Sequence, residues 1–296
     1  LMRKFLFPVI FALLFSAMPS GIAADLPGMP PLLDPNNIYA ANTPNNFSDT
    51  VKSYPALVYV PNTQSNTVQV YDQKTYKLLR TVKVAREPQH VVPSYDLKTL
   101  YANSDLGNSL MPFDAKTGKP GKRIPLLDPY NLYFTPNGKY AVVMQERMEQ
   151  IAFADPHTFK IKKTLKTKCA GVNHADWTAD GNIFIASCEF SGTIIAVDTA
   201  KMKIINEQFI PDTYAKHSAS THAGLPNLGP QPQDVKLSPD GKTFYIADMM
   251  SDGIWAMPAP WGKLTYINTG FGAHGLYVTR DAQKLIITNQ IGRAHV

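Results

Sequence analysis

Seven histidines and two cysteines carry most of the ligand and redox chemistry open to this 296-residue chain. Three of the histidines, His90, His174 and His274, occupy comparable places in the sequence, together with Asn131 and Asp234. All five sit at the start of related stretches: HVVPSYDLKTLYANSD (90–105), NLYFTPNGKYAVVMQE (131–146), HADWTADGNIFIASCE (174–189), QDVKLSPDGKTFYIAD (233–248) and HGLYVTRDAQKLIITN (274–289). Imidazole nitrogen and carboxylate oxygen are ligands for zinc, copper and other transition metals. A ring built from these positions could therefore hold a metal, with His90, His174 and His274 as its ligands, or a small polar molecule. The competing reading is a solvated polar rim with no ligand. Two further histidines, His217 and His222, lie in the insertion DTYAKHSASTHAGLPNLGPQP (212–232). Its Pro, Gly and Ser content makes it a loop, either a lid over the ring or a surface decoration.

Cys169 precedes one of these stretches, and Cys188 lies near its end. If Trp177 faces Ile183 across a hairpin, Val172 faces Cys188 and Cys169 lies just beyond, so a disulfide is expected. The alternative is two free thiols beside His174 and Glu189 as metal ligands. No Ser-His-Asp order, phosphate-binding loop or pair of catalytic carboxylates has convincing spacing, so no catalytic residue is assigned.

The elements that must position these residues are β-hairpins. Alternating apolar runs on both sides of a Pro-Asp-Gly turn, as at 233–248, are a hairpin signature. The third turn residues, Asp96, Asn137, Asp180, Asp240 and Asp281, are spaced by 41, 43, 60 and 41, so the hairpin repeats with one insertion. Asp72, Asp114, Asp155 and Asp198 close the third strands of the first four units, Met257 standing in that place in the fifth, and a fourth strand follows. Four short antiparallel strands per roughly 40-residue unit is the pattern of a β-propeller blade. The expected fold is an all-β propeller, about five and a half blades being present and seven expected in a full chain. The first unit, LVYVPN (57–62), TVQVYD (67–72) and LLRTVKV (78–84), lacks its first strand. A C-terminal segment would supply it and close the ring. Innermost strands line the central channel, which places the histidine ring at one mouth and the Asp-Gly turns on the opposite face.

Tyr59-Val60-Pro61-Asn62, Tyr245-Ile246-Ala247-Asp248 and Ile286-Ile287-Thr288-Asn289 resemble the second-strand signature of bacterial YVTN-type β-propeller repeats. The Ser-Pro-Asp-Gly-Lys turn at 238–242 and the Asp-x-x-Thr turn at 72–75 are similar to the same repeats. The resemblance covers about 57–290 and implies an exported seven-bladed propeller. Asp105-Leu106-Gly107-Asn108, with His90 upstream, is similar to the Asp-Leu-Gly motif of seven-bladed lactonases, over one unit only. The mouth histidines are also similar in placement to axial ligands of exported haem-binding propellers, although the chain has no Cys-x-x-Cys-His for covalent haem. A transition metal or haem is thus compatible with the sequence, and neither is required by it.

The ends are expected to lie outside the fold. Arg3 and Lys4, an apolar run and the tail Ser20-Gly21-Ile22-Ala23-Ala24 read as a secretory signal over 1–24, too short to anchor in a membrane. Residues 25–56 form an extended arm with six prolines. Ile291 to Val296 read as a translated sequencing adapter, so the natural sequence is expected to continue past Gln290. The formal charge of +6 includes Arg3, Lys4 and Arg293, and the other basic residues alternate with acids and polar residues. Nucleic-acid binding needs a clustered basic face, and none is present. The expectation is a monomeric periplasmic or secreted protein, with no transmembrane segment after signal cleavage. It would recognise a small ligand, a metal or a protein partner at the channel mouth. The alternative is a lactonase-like hydrolase or a metal- or haem-dependent redox protein.

Overall fold

The computed structural model describes residues 32–34, 36–213, 229–270 and 272–289. The segment read as a secretory signal, the adapter-like end and the insertion histidines His217 and His222 lie outside these residues. Among the described residues, no helix is long and apolar enough to cross a membrane.

The described strands form six antiparallel sheets in chain order. The first has three strands, β1 (Leu57–Asn62), β2 (Thr67–Asp72) and β3 (Leu78–Lys83). Four sheets of four strands follow. Their first and second strands are β4 (Pro88–Pro93) and β5 (Thr99–Ser104), β8 (Asn131–Phe134) and β9 (Ala141–Gln145), β12 (Val172–Trp177) and β13 (Ile183–Cys188), and β16 (Pro232–Leu237) and β17 (Thr243–Asp248). Each is completed by two outer strands: β6 (Ser109–Asp114) and β7 (Ile124–Pro125), β10 (Gln150–Ala154) and β11 (Ile161–Lys166), β14 (Thr193–Asp198) and β15 (Lys203–Phe209), and β18 (Gly253–Pro258) and β19 (Thr265–Asn268). The last sheet is the pair β20 (Ala273–Val278) and β21 (Leu285–Asn289). First strands of neighbouring sheets pack on one another, which places them innermost. This is a propeller of five blades and part of a sixth.

Apolar alternation is satisfied between blades, not within them. Val142, Met144, Ile151 and Phe153 of the third blade pack on Trp177, Phe184 and Ile195 of the fourth. Ile185, Ile194 and Ala196 use the other side of the fourth blade to meet Val235, Phe244 and Trp255. The middle strands are thus buried on both faces, which their dense Val, Ile and Phe content requires.

Turn chemistry repeats once per blade. Hydroxyls of Ser94, Thr135, Thr178, Ser238 and Thr279 donate to Asp96, Asn137, Asp180, Asp240 and Asp281 respectively. On the same face, Asp72, Asp114 and Asp155 each accept the backbone N–H and hydroxyl of a threonine three residues later. These side chains hold turns.

A recurring bulge changes the register expected for the innermost strands. Pairing slips between Pro88 and His90, Val172 and Ala175, Pro232 and Val235, and Ala273 and Gly275. Val172 faces Cys188, yet Trp177 faces Phe184 and not Ile183, because one extra residue is accommodated between them. The bulge allows two packed apolar residues to flank two consecutive residues that are polar, apart from Gly275 in the last blade. The tetrads are Pro88-Gln89-His90-Val91, Val172-Asn173-His174-Ala175, Pro232-Gln233-Asp234-Val235 and Ala273-His274-Gly275-Leu276; Pro129-Tyr130-Asn131-Leu132 repeats the pattern without a slip. His90, His174 and Asp234 are therefore third in their strands, not first. His274 is the first polar member of its tetrad, in phase with Asn173 and Gln233, while Gly275 takes the place aligned with His90 and His174.

The described part of the arm crosses the Asp-Gly face. The Ile38 N–H donates to the Pro239 carbonyl at 2.8 Å, the Tyr39 hydroxyl donates to the Leu237 carbonyl at 2.8 Å, and Ile38 packs into the core between the fourth and fifth blades. The Lys236 ammonium lies 5.6 Å from the centre of the Tyr39 ring and 3.4 Å from Asp176. That face is therefore more than turn chemistry. Further along the arm, Val51, Tyr54 and Pro55 join Val58 of β1 and Val91 and Pro93 of β4 around a cavity of about 430 Å³.

Candidate functional site

Of the five positions singled out in the sequence, the structure brings three together. The rings of His90 and His174 are 5.4 Å apart, and those of His174 and His274 are 6.1 Å apart, both edge to face. Tyr130 completes the cluster, 5.3 Å from His90 and 6.0 Å from His174. Side chains from the second, third, fourth and sixth blades meet at this spacing because their innermost strands surround one channel.

Asn131 and Asp234 are engaged elsewhere. The Asn131 amide donates to the Tyr133 hydroxyl at 2.9 Å, while its oxygen accepts from the Leu132 N–H. The Asp234 carboxylate accepts the Val235 N–H through Oδ1 at 3.0 Å and, across the blade junction, the Leu276 N–H through Oδ2 at 2.9 Å. Burial pushes this carboxyl up to about 6, although both hydrogen bonds oppose the shift. The residue is a clamp between the fifth and sixth blades.

The histidine cluster has a defined hydrogen-bond polarity. His90 Nδ1 lies 2.9 Å from the Tyr130 carbonyl, an acceptor only, so Nδ1 carries the proton. His174 Nδ1 lies 3.1 Å from Asn173 Oδ1, which also accepts the Ser187 hydroxyl at 2.8 Å. Asn173 Nδ2 donates to Glu189 at 2.8 Å and to Glu146 at 3.5 Å, which fixes the amide orientation. The Nδ1–H tautomer leaves Nε2 of both histidines as an acceptor. Desolvation lowers all three imidazoles, His174 furthest, and the neighbouring imidazoles lower His90 and His174 further. The cluster is neutral near pH 7.

Above it lies an acidic ring that the sequence reading missed. Asp105, Glu146 and Glu189 follow the second strands of three successive blades. Desolvation, then Glu189 and Asp105, push Glu146 up to about 8. Glu189 is raised by burial against the amides of Gln233 and Asn173. Arg147 bridges Asp105 at 3.3 Å and the fully buried Asp128 at 2.9 Å, and burial pushes Asp128 up to about 7. The signal was in the sequence, since each acid ends one of the aligned stretches that His90, Asn131 and His174 begin. The Asp-Leu-Gly turn thus places Asp105 against Arg147 of the next blade.

Cys169 and Cys188 form a disulfide with Cα atoms 5.8 Å apart. Neither is a thiol ligand beside His174. Among the described residues, no group of three or more His, Cys, Asp or Glu side chains is arranged to hold a metal ion. A metal held by His90, His174 and His274 is one of the readings the sequence leaves open, and these three are not among any such group.

The fold defines a β-propeller in which three histidines and a tyrosine meet where the innermost strands converge. The YNCE-like β-propeller family model matches residues 26–214, and the chain belongs to that family. No curated protein matches the chain. Among solved structures, it is similar to Kuenenia stuttgartiensis hydrazine synthase (17% identity, TM-score 0.64, covering 78% of this chain and 70% of that one). It is also similar to a chain of a mitotic checkpoint complex (14% identity, TM-score 0.59, covering 79% and 68%). At these identities the likeness is one of fold.

Proposed function

We propose that this is an exported, monomeric binding propeller of the YVTN-repeat type that captures a small ligand at the histidine-bearing mouth and performs no chemistry on it. The carrying observation is the convergence of His90, His174, His274 and Tyr130 from four blades. Folding alone does not require four polar rings at one point, and desolvating three imidazoles there has a free-energy cost. Export rests on the N-terminal charge and apolar pattern, and the absence of a basic cluster argues against nucleic acid.

Imidazole NMR spectra of the purified protein, recorded during titration with a panel of small metabolites, test this reading. Shifts at His90, His174 and His274 that vanish in His174→Ala would support it. Turnover of a lactone, or stoichiometric metal or haem lost in the same variant, would replace it with the hydrolase or redox reading.

A further inference from the structure

The mouth is rich in acids and unbalanced in hydrogen-bond type. Glu146, Glu189, Asp105 and Asp128 converge, with Arg147 the cation bonded to the last two. Nε2 of His90 and of His174 adds two more acceptors without a partner among the described residues. His174 is only 6% exposed. Such a nitrogen accepts from water or from a ligand's donor. One buried orphan has the opposite sense. Gln233, 1% exposed, lies against Glu189, yet its Nε2 makes no well-formed hydrogen bond. A buried N–H of this kind calls for an oxygen acceptor. A metal ion would not use that N–H, and one amide nitrogen, that of Asn173, touches both glutamates.

We infer that the ligand is a small organic cation, an amine or guanidine whose N–H groups bond Glu146, Glu189 and the histidine Nε2 atoms while a neighbouring hydroxyl or carbonyl oxygen accepts from Gln233. This rests on the mouth being a ligand site, as proposed above, and names the class of ligand it takes. Without the cation, Glu146 keeps its proton at neutral pH because Glu189, Asp105 and Asp128 face it across a desolvated space. Arrival of a positive group makes ionisation favourable, so binding releases a proton from Glu146.

Calorimetry and imidazole NMR with glucosamine, agmatine and ethanolamine, set against glucose, citrate and calcium chloride, test the inference. Glucosamine and glucose differ in one ammonium for one hydroxyl. The expected result is at least tenfold tighter binding of an amine than of any uncharged or anionic probe. It should come with proton release at pH 7 and at least tenfold loss in both Glu146→Gln and Glu189→Gln. If glucose, citrate or calcium shifts the histidine resonances and no amine does, the cation assignment falls and the mouth remains a ligand site. If no probe shifts His90, His174 or His274, both readings fall.

Discussion

Glu146 and Asp234 are carboxyls that burial drives upward, and they make different predictions. Glu146 has an ordinary value of 4.5 and a folded value of about 8. The folded state therefore holds an extra proton between these values, and its stability falls as pH rises through that window. Glu146→Gln removes the fall. Its thermal midpoint should match the wild type near pH 4 and exceed it at pH 8 by the equivalent of up to about 4 kcal/mol. The histidines act in the opposite sense. Their folded values lie below 6.5, so stability is lost as pH falls beneath it, and His174→Gln should flatten that limb of a pH series followed by circular dichroism. Asp234→Asn presents an amide donor to a backbone N–H, of either Val235 or Leu276. Urea denaturation should show a loss of about 1–3 kcal/mol, with ligand binding unchanged.

At the scale of the element, the hairpin of β12 and β13 shows what sequence can and cannot convey. Its alternation and its Ala-Asp-Gly turn were legible, and the Val172–Cys188 pairing followed from them. The slip to Trp177–Phe184 did not, because strict alternation has no place for a bulge. Strict alternation also assigns one residue of each polar pair to the channel. Asn173 and Gln233 were therefore overlooked beside His174 and Asp234. Glu146 went unread, and Glu189 was read only as a metal ligand beside the cysteines, for another reason: as strand-end residues they look like ordinary loop polars until the third dimension stacks them. The disulfide, spanning 19 residues, should contribute about 3 kcal/mol in the chain-entropy account. Cys169→Ser with Cys188→Ser should lower the urea midpoint accordingly. Because both cysteines are buried, a thiol reagent should find none in the folded wild type under mild reductant.

At the scale of the whole molecule, the arm and the mouth occupy opposite ends of the channel. The proline- and asparagine-rich arm has no periodicity, so nothing in its sequence foretold the docking of Ile38 and Tyr39 beside Lys236. With Tyr39 bonded to Leu237 at the rear, ligand access is expected from the histidine side. Tyr39→Ala should raise hydrogen exchange at the Ile38 amide and around 236–240, and leave exchange at the mouth unchanged.

The recurring tetrad has one more consequence. Its outer residues belong to the core, whereas its inner pair contributes little to the packing between blades. On the proposed function, recognition is written in a cassette largely separate from the sentence that specifies the fold. Ten positions, two in each of five blades, form an alphabet that inheritance or a display library could respell. Asp234, Asn131 and Gly275 are the letters tied to the binding of the pages, and a library that spares them should yield folded propellers of altered taste.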